Sequence, residues 1–95
     1  MSTVVQLEQS SREEKIFPLN YAPGLLAGVT VSSVAVLHTP PSGGVLIVTP
    51  SVVGDVAYVP IPKGLAIGVN KFSCVATTSN SELSPEILLI ITVMR

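Results

Sequence analysis

The chain reads as an all-β domain, a two-layer sandwich or a small barrel. Three observations predict this. From Ile16 onward Val, Ile and Thr dominate the text, the residues that suit a pleated, half-buried surface. Gly and Pro interrupt that text every eight to twelve residues or so, the spacing of short strands and turns. No stretch carries a convincing helical period. With 95 residues and 47% hydrophobic content, the chain can build one small core.

The elements follow in order. Ile16–Tyr21 is a first strand, and Pro18 places it at an edge because proline cannot donate to a ladder. Ala22–Gly28 is a turn-rich link. Val29–Leu37 is a strand in which Val29, Val31 and Ser33 share a face, after which the apolar register passes to Val34, Val36 and His38. That shift predicts a bulge near Ser32–Ser33. Pro40–Gly44 is a loop, Val45–Thr49 a short apolar strand closed by Pro50, and Val52–Val53 the start of another. Gly54-Asp55 turns into the strand Val56–Ile61, where Pro60 again points to an edge. Lys63-Gly64 turns, Gly68–Thr78 alternates cleanly, Ser79–Pro85 is a hairpin loop, and Glu86–Met94 is the last strand. This makes about six or seven short strands.

The last strand departs from the pattern. Ile87-Leu-Leu-Ile-Ile91 is apolar on both faces, whereas a strand of a two-layer sandwich shows one face to water. Either the N-terminal segment of this subunit or the next covers its outer face, or that face is an interface. The N-terminal segment, residues 1–15, is polar and charged, with weak apolar spacing at Val4, Val5 and Leu7. It is compatible with a short helix or an extended arm, and is expected to order on a neighbour or to pair as a strand. The expected organisation is an arm over 1–15 and a sandwich over 16–95.

Charge narrows the function. Charged residues make up 12% of the chain, about half the usual share, and Glu8, Arg12, Glu13, Glu14 and Lys15 crowd the arm. Between Ile16 and Ser81 stand only Asp55, Lys63 and Lys71. A body so short of charge dissolves poorly when bare, so part of it is expected to be covered by partners. Net charge is −1 and there is no tryptophan or basic patch, which argues against nucleic acid. The longest apolar run, Ile87–Met94 with Thr92 inside it, falls far short of the roughly 20 residues that span a bilayer. The start has neither a basic region nor an apolar segment of the secretory kind, so no membrane partner is expected.

No catalytic constellation, metal set or cofactor motif emerges. His38 is the sole histidine and lacks a nucleophile and an orienting acid; one His plus Asp55 is too thin a metal shell. Cys74 sits mid-strand beside Phe72 and Ala76, the setting of a buried, inert thiol. Pro41-Ser-Gly-Gly44 has no lysine or helix after it, so it is no phosphate loop. Glu13 and Glu14 belong to a solvated run. Tyr21 and Tyr58 fit either interface anchors or strand-edge packing. The candidate interface residues are Val4, Val5 and Leu7 of the arm, Tyr21, Tyr58, and Ile87, Leu89, Ile91 and Val93 of the last strand.

The stretch Gly68-Val-Asn-Lys-Phe-Ser-Cys-Val-Ala-Thr-Thr-Ser-Asn-Ser-Glu-Leu-Ser-Pro-Glu-Ile-Leu-Leu-Ile-Ile-Thr-Val93 resembles the closing hairpin of small immunoglobulin-like proteins of tailed bacteriophages. Leu19-Asn-Tyr21, followed by Leu25-Leu26-Ala-Gly-Val-Thr-Val31-Ser-Ser-Val-Ala-Val36, resembles their opening. The likeness covers residues 17 to 93, and the chain differs in having no tryptophan near Val36. It implies an immunoglobulin-like β-sandwich of about seven strands and a place in the virion as a head decoration, head fibre, neck or tail accessory subunit. It implies no catalytic residues. The expected protein is therefore a non-enzymatic virion component, made in the host cytoplasm, that assembles through its arm and last strand. Its expected partners are major capsid or neck and tail subunits, or further copies in a symmetric assembly. The alternative is a receptor- or carbohydrate-binding adhesion module using Pro40–Gly44 and Ser79–Pro85, although these loops offer no Trp or Tyr as a sugar platform.

Overall fold

The computed structural model of the chain describes residues 3–25, 27–80 and 84–94. These residues form an all-β, sandwich-like fold of two sheets. The strands are β1 (Thr3–Ser10), β2 (Lys15–Asn20), β3 (Val31–Thr39), β4 (Ser51–Val53), β5 (Val56–Ile61), β6 (Gly68–Thr78) and β7 (Glu86–Met94), with one 3-10 turn at Ala22–Gly24. One sheet has the order β1-β7-β6-β3 and the other β2-β5-β4.

The long strand β6 organises the first sheet. Its alternation sends Asn70, Phe72, Cys74, Ala76 and Thr78 into the interior, because successive side chains point to opposite faces. β7 runs antiparallel to it with Cys74 opposite Ile87, Phe72 opposite Leu89 and Asn70 opposite Ile91. Directly opposed residues share a face, so Ile87, Leu89, Ile91 and Val93 join the core. On the other side β3 pairs antiparallel with β6, and its register shifts between Val31 and Ser33, at the bulge the apolar pattern predicts.

β1 lies at the edge of this sheet, parallel to β7 from Thr3 opposite Ile87 to Ser10 opposite Met94. Of the alternatives for the N-terminal segment, residues 3–10 take strand pairing, within their own subunit. A division at residue 15 therefore cuts through the fold: β1 belongs to one sheet, and β2, starting at Lys15, to the other. The crossing between them is tied down by backbone bonds from Ser11 N–H to Met94 O (2.7 Å) and from Gly64 N–H to Ser11 O (2.8 Å). Glu13 closes the corner by accepting the Ser10 N–H (3.0 Å) and pairing with Lys15 (3.2 Å). These contacts, the Ser10 bond foremost, hold its carboxyl below the usual range.

In the second sheet Pro18 sits on β2, an edge strand, as expected. Pro60 does not: β5 is the central strand. The position is tolerated because the β4 ladder ends at Ser51 opposite Tyr58, so Pro60 lies beyond it, where no donor is missed. The same prolines explain a second difference. The predicted strand Val45–Thr49 joins neither sheet, although its burial alternates, with Leu46 and Val48 turned inward and Val45 and Ile47 outward. It lines a groove of about 700 Å³ with Pro60 and Pro62 on the other wall, and prolines there offer no N–H to pair with. The β4–β5 hairpin turns at Gly54-Asp55, where Gly54 takes a φ of 62°, a value a tight hairpin needs and glycine adopts without strain.

The core lies between the sheets and centres on Phe72, Leu89, Ile91, Val59 and Ile61. Tyr21, just past β2, crosses it: its hydroxyl donates to the Cys74 carbonyl of β6 (2.7 Å), while its backbone N–H reaches Asp55 O (2.9 Å). Asp55 also accepts the Val31 N–H at 3.2 Å, so one turn residue joins the ends of β2, β3 and β5. Phe72→Ala is expected to cost about 3–5 kcal/mol through the cavity it opens. Tyr21→Phe, which keeps the ring, is expected to cost about 1–2 kcal/mol for the lost inter-sheet bond. Urea unfolding followed by circular dichroism measures both, and a Tyr21→Phe protein as stable as the wild type would remove the hydroxyl from this role.

Candidate interaction surface

The outer face of the four-stranded sheet follows from the same registers. Val4, Leu88, Ser73 and Leu37 form one row across β1, β7, β6 and β3. Gln6, Ile90, Lys71 and Thr39 form the next, and Glu8, Thr92 and Val69 a third. Below the first row lie Glu86, Val75 and Ala35. Leu37 is 64% exposed, Val4 52% and Val69 46%, while Leu88, Ile90 and Val75 are half-buried by their neighbours. The face thus carries Val4, Leu37, Leu88, Ile90, Val69, Val75 and Ala35 interspersed with Gln6, Ser73, Thr39, Thr92, Glu8 and Glu86, with Lys71 as its one cation. Among the described residues the ion pair present is Lys15–Glu13, so Lys71 stands without a carboxylate. Glu86 accepts a hydrogen bond from Ser73 Oγ, and Glu8 stands at the β1 edge.

The predicted interface residues divide on this geometry. Val4 lies on the outer face. Val5 and Leu7 lie on the other side of β1, half-buried against the core. Ile87, Leu89, Ile91 and Val93 are core residues and cannot meet a partner. β7 is apolar on both faces, as its sequence indicates, but the free face carries Leu88 and Ile90. The faces of β7 are assigned by its pairing with β6, which sets Ile87, Leu89 and Ile91 opposite the inward Cys74, Phe72 and Asn70. Tyr21 is packing, not an anchor: it is 2% exposed, and burial pushes its phenol well above its usual range, with Cys74 and Glu86 adding to the effect. Tyr58 is partly exposed on the outer side of β5, opposite Pro18 and Ser51. That smaller sheet also shows Ile16 and Val53, but prolines at 18 and 60 interrupt it. Of the two predicted binding loops, Pro40–Gly44 borders an open pocket of about 260 Å³ beside Lys63. Residues 81–83 of the other lie outside the described residues.

The side chains with chemical potential are engaged in the interior. The His38 ring stacks on Phe72 at 4.4 Å and 6°. Its Nδ1 accepts the Leu46 N–H (3.0 Å), which leaves the proton on Nε2 to be donated to Asn70 Oδ1 (2.8 Å). Asn70 Nδ2 in turn donates to Ala66 O (2.8 Å). This chain satisfies each group and pins the unpaired segment around Leu46 to the sheet. Cys74 is fully buried, and burial, then the Glu86 charge, pushes its thiol from 9.0 up to about 11. The described residues contain no group of three or more His, Cys, Asp and Glu placed to hold a metal, and no helix long and apolar enough to cross a membrane.

No protein-family model matches the chain, and no curated protein matches it significantly.

His38→Phe keeps the stacked ring and loses both hydrogen bonds. It is expected to cost about 1–3 kcal/mol and to speed amide exchange at Leu46; unchanged exchange there would mean the pin is not what holds the segment. Cys74 is expected to resist thiol reagents until the protein unfolds. Because its folded thiol titrates higher than 9.0, the fold favours the protonated form. Stability from this group is complete below pH 9 and declines by roughly 1.4 kcal/mol per pH unit up to about pH 11. Urea midpoints of wild type and Cys74→Ser across that window test it.

Proposed function

We propose that the chain is a non-enzymatic assembly subunit of a bacteriophage particle, an immunoglobulin-like sandwich that docks through the outer face of its four-stranded sheet. The observation that carries the reading is that face. Exposed aliphatic side chains grouped on one sheet face suit a docking surface, and here Val4, Leu37 and Val69 are exposed near the half-buried Leu88 and Ile90.

Strand order supports the immunoglobulin-like reading. The order β2-β5-β4 against β3-β6-β7 corresponds to the B-E-D and C-F-G groupings of that fold, with β1 added beside the last strand. The virion setting draws on the resemblance of residues 17–93 to phage immunoglobulin-like proteins. On that reading the chain sits on the capsid, neck or tail. The non-catalytic reading draws on His38 and Cys74, both committed to the interior.

Quantitative mass spectrometry of purified particles tests the setting. A simple ratio to the major capsid protein is expected for a decoration, a handful of copies for a neck or tail part, and absence from the particle refutes the proposal. Leu37→Asp tests the face. At a side chain 64% exposed it is expected to change stability by no more than about 0.5 kcal/mol, yet to reduce incorporation into particles at least tenfold by placing a charge in an apolar contact.

A further inference from the structure

Resting on that assembly reading, we infer that the outer face of the four-stranded sheet takes a second copy of this chain, packed face to face about a two-fold axis parallel to the strands and between β7 and β6. Such an axis keeps each row of the face in place and exchanges the columns, so β1 lies over β3 of the second copy and β7 over β6. An isologous contact needs a patch that complements itself under this operation, and the registers supply one. Val4 and Leu37, exposed at opposite ends of one row, meet across the interface. Leu88 and Ile90 lie near the axis, Thr92 faces Val69, and Gln6 faces Thr39.

Two of the three charges on the face match as well; the third, Glu86, accepts the Ser73 hydroxyl and lies over Val75 of the second copy. Lys71 lies on β6 and Glu8 on β1, two strands apart and one row offset. The axis brings each Lys71 over Ile90 of the second copy, one strand and one row from that copy's Glu8. With strands about 4.8 Å apart and same-face residues about 6.8 Å apart, the diagonal is about 8 Å. A lysine and a glutamate together span it, and the lysine stem covers aliphatic surface on the way. Two ion pairs related by the axis result. An axis across the strands would stack β6 on β6 and draw the two Lys71 ammoniums together. The area is of the right order: four strands by four rows cover roughly 19 by 27 Å, so about 1,000 Å² is buried in total, matching the roughly 1,000 Å² a specific interface needs.

Sedimentation equilibrium of the full chain over a wide concentration range tests this. The wild type is expected to reach twice the 9.9 kDa chain mass. Lys71→Glu and Glu8→Lys each set like charges against one another and are expected to weaken association about tenfold or more. The double variant restores opposite charges and is expected to recover it. Ile47→Asp, off this face and 90% exposed, is expected to leave it unchanged. A wild type that stays monomeric, single reversals without effect, or a double variant that fails to recover overturns the inference. If the wild type is monomeric while Leu37→Asp still abolishes incorporation, the face serves another virion protein, and only the self-association falls. If the dimer behaves as described but the chain is absent from particles, the virion reading falls and the dimer stands.

Discussion

The antiparallel ladder between β6 and β7 is the constraint from which most of the structure follows. β6 must bury Phe72, Cys74 and Ala76, since these alternate with Lys71, Ser73 and Val75. Once Cys74 is opposite Ile87, the inward set of β7 is decided, and so is its outward set. A slip of one residue would turn Leu88 and Ile90 inward and put Ile87, Leu89 and Ile91 into water. Aliphatic residues on both faces of β7 would make either register acceptable to the core. The alternation of β6 and the parallel partner β1 remove that ambiguity.

Around this ladder a few polar contacts join what apolar packing alone would leave loosely oriented. The Tyr21 hydroxyl ties the end of β2 to the middle of β6, and Asp55 gathers the chain ends near β2 and β3. At the other end of β6, His38 and Asn70 hold the Leu46 and Ala66 segments. Each buried donor in these chains has an acceptor, so their burial costs little and their geometry is fixed. Both His38 nitrogens are engaged in these bonds, and the Cys74 thiol is buried. Gln9, outside these chains, differs: its Nε2 donates to Glu13 O (3.1 Å), while its buried Oε1 accepts from no protein donor among the described residues.

The edges of the two sheets differ in a way that bears on assembly. Pro18 lies on the edge strand β2, and Pro60 and Pro62 stand where the chain from Val45 to Thr49 would otherwise complete a ladder. Proline discourages further strand addition there. The four-stranded sheet has no proline in any of its strands. In the proposed assembly its exposed Val4, Leu37 and Val69 make contact through the face.

The sequence by itself determined the class of fold, most strand positions, the bulge at Ser32–Ser33, the burial of Cys74 and the two-faced character of the last strand. Each is a local property: a period of two, a register shift, a turn residue. The tertiary structure alone decided four things. Residues 3–10 pair in parallel with β7, a contact between the two ends of the chain that no local pattern encodes. Val45–Thr49 stays unpaired, because the prolines that deny it a partner are more than ten residues away in sequence. Tyr21 is a core strut, because its acceptor is 53 residues further on. The surface of β7 is Leu88 and Ile90, because a strand apolar on both sides carries no preference of its own, and only pairing with β6 tells which side meets the core.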